Sequence, residues 1–384
     1  MLAQEWPSAD ELIRNCRSSV WGDVLPHPSY NVCALRALFE NAFDSSSPGS
    51  LLGRSESVLV LVVDGVSFDV ARDVWSPTWL RAVTSTCPST TSTALLSATT
   101  GLSPAAHGVV GVAFRAAQTG ATFNCYSDGP APDDFSLGPW PTVFSGMSER
   151  VDCVAHVGSL ATIPGRWSRA VVHGARAVLP SADWNAIDDD PAAMVNTVVG
   201  EIEATLAQPR SRPLFVWAHV NLDSAIHRRG YDPVVRDAVA ELGRAAARWA
   251  GRGHTVIAHA DHGLVEIRDS DRARRLLELL NDPASCEARS GGAGRIIWAY
   301  PRPGSALLER ARTLAEDFAA VIGRDELFAS GAVAETPAAR ERIGDVVVVA
   351  TGSEFPKLVP ENRFEHGAFS ATEMIVPVAV WMSE

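Results

Sequence analysis

The run Ser57–Asp64, SVLVLVVD, is almost continuously apolar, is of strand length, and ends in a carboxylate followed by Gly65. A strand that is Val and Leu throughout has no face to give to water, so it suits a parallel sheet covered on both sides. Four later stretches have the same form: Val151–Gly158, Pro213–Asp223, Thr255–His262 and Asp345–Ala350. Helical patterns lie between them, notably Pro191–Ala207, Pro233–Trp249 and Ser305–Ile322. Strands alternating with helices of this length predict an α/β fold with a doubly wound, mostly parallel central sheet flanked by helices. Ligands of such sheets bind beyond the C-terminal strand ends. Asp64, Asp223 and the pair Asp261-His262 all fall on that rim.

At 384 residues the chain has room for one large or two ordinary domains. Residues 1–55 are punctuated by Ser and Pro, with one helical stretch around Val32–Phe43, and read as an extension packed on the core. Residues 56–384 then form the main domain. Ala113–Cys125 reads as a hairpin turning at Gly120; with the Trp-bearing stretch Trp140–Trp184 it predicts a small cap over the rim, a cap-like insertion at about 113–185. The formal charge of −12 argues against a nucleic-acid surface. The six cysteines are scattered without CxxC spacing and read as reduced, buried small hydrophobes. Neither a basic, apolar leader nor a span-length apolar run is visible, which points to the cytoplasm and away from a membrane.

Several motifs carry residues fit for chemistry, and each has an ordinary structural explanation. The stretch Thr86–Gly111 is a dense run of hydroxyls that turns helical and breaks at Gly101. A hydroxyl opening a helix sits among free N–H groups that favour a phosphate, but the same position suits a plain N-cap. Asp223 and His227, spaced i, i+4, can face one cation, or can be a cap and a surface imidazole. Asp261-His262-Gly263 can place two ligands at a strand end, or simply make a turn. His366 stands in a loop. His107 reads as structural. Arg supplies nearly all the cationic side chains, with Lys357 the single lysine; Arg115, Arg228, Arg229 and Arg295 lie near the motifs, as anion contacts or as surface charges. Together, three Asp, three His and a threonine hydroxyl make a ligand mix suited to zinc and compatible with manganese or iron.

The order of these motifs resembles the alkaline phosphatase superfamily, and within it the type I phosphodiesterase/nucleotide pyrophosphatase branch. The likeness covers roughly Ser57 to the C-terminus and rests on LVVDGVSFD, PSTTSTALLSATTGLSPAAHGVVG, DSAIHRRG, AHADHG and HGAFSATEMIVPV. It implies two divalent metal ions, one held by Asp64, Asp261, His262 and the nucleophile, the other by Asp223, His227 and His366. The family places its nucleophile three residues after a proline and ten before the closing glycine. Pro88 and Gly101 both then point to Thr91, ahead of Thr90 and Thr86. The sulfatase branch fits poorly, because Cys87 abuts Pro88 and no Arg follows. So does the metal-dependent mutase branch, with its Ser nucleophile and large inserted domain.

The resemblance implies metal-dependent hydrolysis of a phosphodiester or phosphoanhydride through a phosphothreonine, acting on a small anionic phosphorylated substrate. A phosphomonoesterase or phosphonate hydrolase on the same site is one alternative. A non-catalytic metal-binding relative is the other. One departure stands out: Val112 occupies the place after His107-Gly108-Val109-Val110-Gly111 where nucleotide pyrophosphatases commonly carry an Asn that holds the phosphoryl group.

Overall fold

The computed structural model describes residues 6–18, 21–43, 56–116, 119–127, 138, 140–163, 165–181 and 183–383. Along them run the strands β1 (Ser57–Asp64), β2 (Trp79–Thr84), β3 (Ala113–Arg115), β4 (Thr122–Asn124), β5 (Asp152–His156), β6 (Arg176–Val178), β7 (Leu214–Asn221), β8 (Thr255–His259), β9 (Val265–Glu266), β10 (Cys286–Ala293), β11 (Ile296–Pro301), β12 (Ala319–Gly323), β13 (Val346–Ala350), β14 (Phe364–Glu365) and β15 (Ile375–Trp381).

Seven strands make the central sheet, in the order β2-β15-β8-β1-β7-β5-β6. β1 is parallel to both neighbours, pairing Ser57 with Leu214 of β7 and Val58 with Thr255 of β8. β5 and β6 continue the parallel set, while β15 runs antiparallel between β8 and β2. All residues of β1 and β7 are buried, as their unbroken apolar character requires.

Helices flank this sheet. The Pro191–Leu206 and Pro233–Gly251 helices pack on each other and against β7 and β8. The second presents Val235, Val239, Leu242, Ala246 and Trp249 inward, a stripe at three- and four-residue steps. Phe39 and Phe144, from two other helices, meet Phe215 of β7. Residues 6–18 and 21–43 lie on the core: Leu35 and Phe39 are fully buried, Asn31 bridges Thr84 of β2, and the rings of Trp6 and Trp79 meet edge-on at 5.4 Å. Among the described residues no helix is long and apolar enough to cross a membrane.

The structure corrects three expectations. A second, six-stranded antiparallel sheet has the order β12-β13-β11-β10-β3-β4, and it holds the Asp345–Ala350 stretch as β13 rather than in the central sheet. A Val run buried on both faces is equally at home in either sheet, so its pattern does not choose. The helix expected over Ser305–Ile322 ends at Ala315, and Val321 and Ile322 pair with Val348 and Val347. Their β-branched side chains find a strand partner far away in sequence. Finally, the described strands within 113–185 are divided between the two sheets. β3 and β4 form the expected hairpin, with Gly120 at φ 65, but belong to the second sheet, while β5 and β6 complete the central one.

Candidate active site

β1 and β8 are adjacent and end at the same rim, so Asp64, the last residue of β1, meets the Asp261-His262 turn that follows β8. Gly65 N–H donates to Asp261 Oδ1 at 3.2 Å, and His262 Nε2 lies 3.3 Å from Asp261 Oδ2 and 3.6 Å from Asp64 Oδ1. Thr91 is brought to this group by its helix, Thr91–Thr100. Thr90 is the extended N-cap, and Gly101 closes the helix at φ 72, a left-handed turn that glycine adopts without strain. Every residue of the helix is buried. Thr91 Oγ1 stands 3.1 Å from His262 Nε2 and 3.4 Å from Asp64 Oδ1. The carbonyl of Thr90 accepts from the amides of Thr93 and Ala94. Among the described residues the amides of Thr91 and Ser92 have no backbone acceptor at the helix start.

Asp223 opens the Asp223–Arg229 helix and His227 follows one turn later, with Nε2 3.1 Å from Asp223 Oδ2. His366 follows β14, and its ring stacks on that of His262 at 3.7 Å between centroids. His366 Nδ1 lies 2.8 Å from the carbonyl of Ser89, and His227 Nδ1 2.7 Å from that of Phe364. A carbonyl can only accept, so each Nδ1 carries a proton, and Nε2 is the ring atom left to face the cluster, meeting Asp223 in the case of His227.

All seven residues singled out in the sequence thus converge. Six of them, joined by Glu365, fall into three overlapping groups of donor atoms: Asp64, Asp261 and His262; Asp223, His262 and His366; and His227, Glu365 and His366. His262 and His366 are shared between groups, so the expected pair of sites is one continuous cluster. Of the other hydroxyls, Thr86 turns away, bonding Pro88 O and Thr93 Oγ1 at 2.8 Å each. Thr90 lines the cavity beside Thr91.

The electrostatics of the cluster call for cations. Burial pushes the Asp64 carboxyl well up, and the Asp223 charge adds to it; burial, then Asp64 and Asp223, do the same to Asp261. Burial pushes Asp223 up as well, but the neighbouring His227 outweighs it and holds Asp223 below the usual carboxylate range. Burial disfavours a charged His227, yet Asp223 more than compensates and raises it to about 10. Asp223 Oδ1 and Asp261 Oδ2 are buried without a hydrogen-bond partner among the described residues. Buried carboxylate oxygens left bare are costly unless a counter-charge sits beside them. With imidazole nitrogens alongside, the donor set fits divalent zinc, manganese or iron.

A cavity of about 450 Å³ opens above Thr91. Besides Asp64, Asp223, His227 and His366, its walls include the backbone turn of the second sheet at Gly291–Gly294. Gly294 adopts φ 48, and a Cβ there would meet the His366 carbonyl at 2.1 Å, so only glycine lets this turn approach the His366 loop.

With this geometry the comparisons with known proteins agree. The family model for type I phosphodiesterase / nucleotide pyrophosphatase matches residues 58–356. The chain belongs to this family. By that membership it is a phosphoric ester hydrolase. Phosphonoacetate hydrolase from Sinorhizobium meliloti, solved with phosphonoacetate, is 21% identical with TM-score 0.60, the match covering 84% of this chain and 89% of that one. Murine ectonucleotide pyrophosphatase/phosphodiesterase 5 is 14% identical with TM-score 0.61, covering 85% and 88%. Wild-type alkaline phosphatase PafA is 13% identical with TM-score 0.58, covering 85% and 91%. These likenesses share the fold. No curated protein matches by sequence.

Some residues of this type I phosphodiesterase relative escape sequence reasoning. His219 sits inside the apolar run of β7, yet its Nε2 lies 2.8 Å from Asp64 Oδ2, and it lines the cavity. Burial depresses His219 to about 4, so it is neutral, donates Nε2–H and leaves Asp64 Oδ1 for the site. Glu365 precedes His366, and its Oε1 is 3.7 Å from both His227 Nδ1 and His366 Nε2. A carboxylate beside a motif histidine was the available signal. The four arginines near the motifs are all engaged in ion pairs: Arg115 with Glu287, Arg228 with Asp189, Arg229 with Asp232, and the buried Arg295 with buried Glu373. His107 is buried, with Nε2 3.0 Å from Ser97 Oγ. Val112 spends its amide on Gly292 O, and Asn124, next to the partner of Val112 in the hairpin, lines the cavity instead.

Proposed function

We propose that this chain hydrolyses a phosphodiester or phosphoanhydride through a covalent intermediate on Thr91. The observation that carries the proposal is the position of Thr91 Oγ1, within 3.4 Å of both His262 and Asp64 and on the wall of the cavity. Asp64, Asp261, His262 and Thr91 would hold one divalent cation, and Asp223, His227 and His366 the other, zinc being best suited to this mixture of imidazole and carboxylate. When bound, such ions supply positive charge that lowers the pKa of a hydroxyl or water and neutralises phosphoryl oxygens. A free threonine hydroxyl is a weak nucleophile, so its activation by this surrounding is essential.

Thr91 Oγ attacks phosphorus, the bond to the leaving oxygen breaks, and that oxygen takes up a proton. The remaining ester stays linked to Thr91 until water attacks phosphorus, restoring the hydroxyl and releasing a monoester. The amides of Thr91 and Ser92 are available donors for charge developing on the phosphoryl oxygens. Asn124 fills the role that Val112 gives up. A threonine-to-alanine change inactivates the murine relative, which was solved in that form with AMP.

Among its described residues the cavity wall carries no Lys or Arg. A monoester or phosphonate brings a second negative charge that, beyond the cations, no Lys or Arg of the described wall would help to meet, and this favours the diester reading over a monoesterase or phosphonate hydrolase. The test is Thr91→Ala with metal content measured in parallel. Turnover of a bis-ester should fall by on the order of 10⁴-fold or more with metal retained; normal turnover rejects the assignment.

A further inference from the structure

Only some of the cavity wall serves the reacting centre. Tyr126, Leu160, Ile163, Leu358 and Val359 line the same cavity, along with Val112. Leu358 and Val359 are each 45% exposed, two of the four large hydrophobic side chains left exposed among the described residues, and they stand side by side on this rim. Single exposed aliphatics are ordinary, but an adjacent pair at the mouth of a cavity that already holds Leu160 and Ile163 is a surface waiting for apolar contact. The ring of Tyr126 packs edge-on against buried Trp167, 4.9 Å between centroids, which holds that ring in place before anything binds.

Charge points the same way. Apart from Asp64 and Asp223, the expected cation ligands, the lining carries the carboxylate of Glu365 and no Lys or Arg among the described residues. The nearby arginines are held by Glu287, Asp189, Asp232 and Glu373. A nucleoside polyphosphate would bring several further negative charges into this cavity with no cationic side chain to meet them.

We propose that the substrate is a phosphodiester whose second ester group is uncharged and apolar, seated against Leu160, Ile163, Leu358 and Val359, and that nucleoside polyphosphates are discriminated against. This rests on the hydrolytic reading above and narrows it to a substrate class. Apolar burial is made equally in ground and transition states, so it shows in KM and in kcat/KM more than in kcat.

The test is a series of alkyl 4-nitrophenyl phosphodiesters from methyl to hexyl, with ATP as the polyanionic comparison. For the wild-type enzyme kcat/KM should rise roughly fourfold per methylene over the first carbons, carried by KM, and ATP should be turned over at least tenfold less efficiently than the butyl ester. Leu358→Asp, at an exposed position, should flatten the slope. A slope that is flat or falls with chain length, or a preference for ATP, overturns the proposal while leaving the hydrolytic reading intact. Calorimetric binding of the same series to Thr91→Ala separates the two claims. If wild type cleaves no ester but affinity for the variant still rises with chain length, the hydrolytic reading fails and the apolar subsite stands; if affinity does not rise, the subsite fails as well.

Discussion

The two halves of the cluster are built in different ways. Asp64, Asp261 and His262 come from the ends of adjacent strands β1 and β8 and are almost wholly buried. Asp223, His227 and His366 come from a seven-residue helix and a loop, and the side chains of His227 and Asp223 keep 14% and 16% of their exposure. The first half inherits its geometry from the sheet. The second depends on ties made for it. Ser89 holds the His366 loop with its carbonyl, which accepts from His366 Nδ1, and with its hydroxyl, bonded to Gly367 N and Ala368 O. Arg295 N–H donates to His366 O, while its guanidinium pairs with Glu373, which in turn accepts from Ala368 N. A strand end positions ligands at no further cost, whereas a loop needs a supporting network.

The largest effects should come from the ligands themselves. Asp261→Asn and His366→Ala are each expected to lower turnover by about 10³-fold or more. Metal analysis should find each variant short of one equivalent, from its own half only. Loss of both equivalents in either variant would mean that the halves are not separable.

Arg295→Met comes next. It strands the buried Glu373 charge, and breaking such a pair costs about 3–5 kcal/mol, to be read by denaturant unfolding. Adding Glu373→Gln removes the stranded charge while leaving an acceptor for Ala368, and should recover most of that loss. Metal retention should suffer in the His366 half alone.

Ser89→Ala removes the two hydroxyl bonds to Gly367 and Ala368, keeps the carbonyl that accepts from His366 Nδ1, and removes no ligand. The lost bonds hold the loop and not the His366 ring, so the loss in metal affinity should be about tenfold, the low end for a supporting hydrogen bond. Competition with a chelator should show that loss at one equivalent, with global stability changing little.

The smallest effect concerns the support of the Thr91 helix. Burial holds His107 at about 3, against about 6.5 unfolded. The unfolded chain therefore takes up a proton that the folded one refuses. The stability contribution is intact above pH 6.5 and is lost as pH falls towards 3. His107→Gln should make the unfolding free energy less steep in pH across that window.

Much of this was legible in the sequence, for definable reasons. β1, β7 and β8 announce themselves by continuous apolar runs, and acidic or imidazole groups at their ends mark the rim. Five motifs in order identify the family, and the family's spacing from Pro88 and Gly101 singles out Thr91 as the proposed nucleophile, a residue that opens its helix. The second sheet was hidden because β3 and β4 are three residues each and β13 finds its partners by long-range pairing that no local pattern encodes. His219 was hidden because a polar residue inside an apolar strand looks like a satisfied core histidine. Its role appears only when β1 and β7 pair and set Asp64 against it.

The central claim is that Thr91 becomes covalently linked to phosphorus. Rapid acid quenching during turnover of a phosphodiester, followed by peptide mass spectrometry, tests it directly. The account predicts a phosphoryl adduct, bearing the ester group that remains after departure of the leaving group, on Thr91 and absent from Thr91→Ala. An adduct on Thr90 or another residue, or turnover at full rate with no adduct and Thr91→Ala still active, would contradict it.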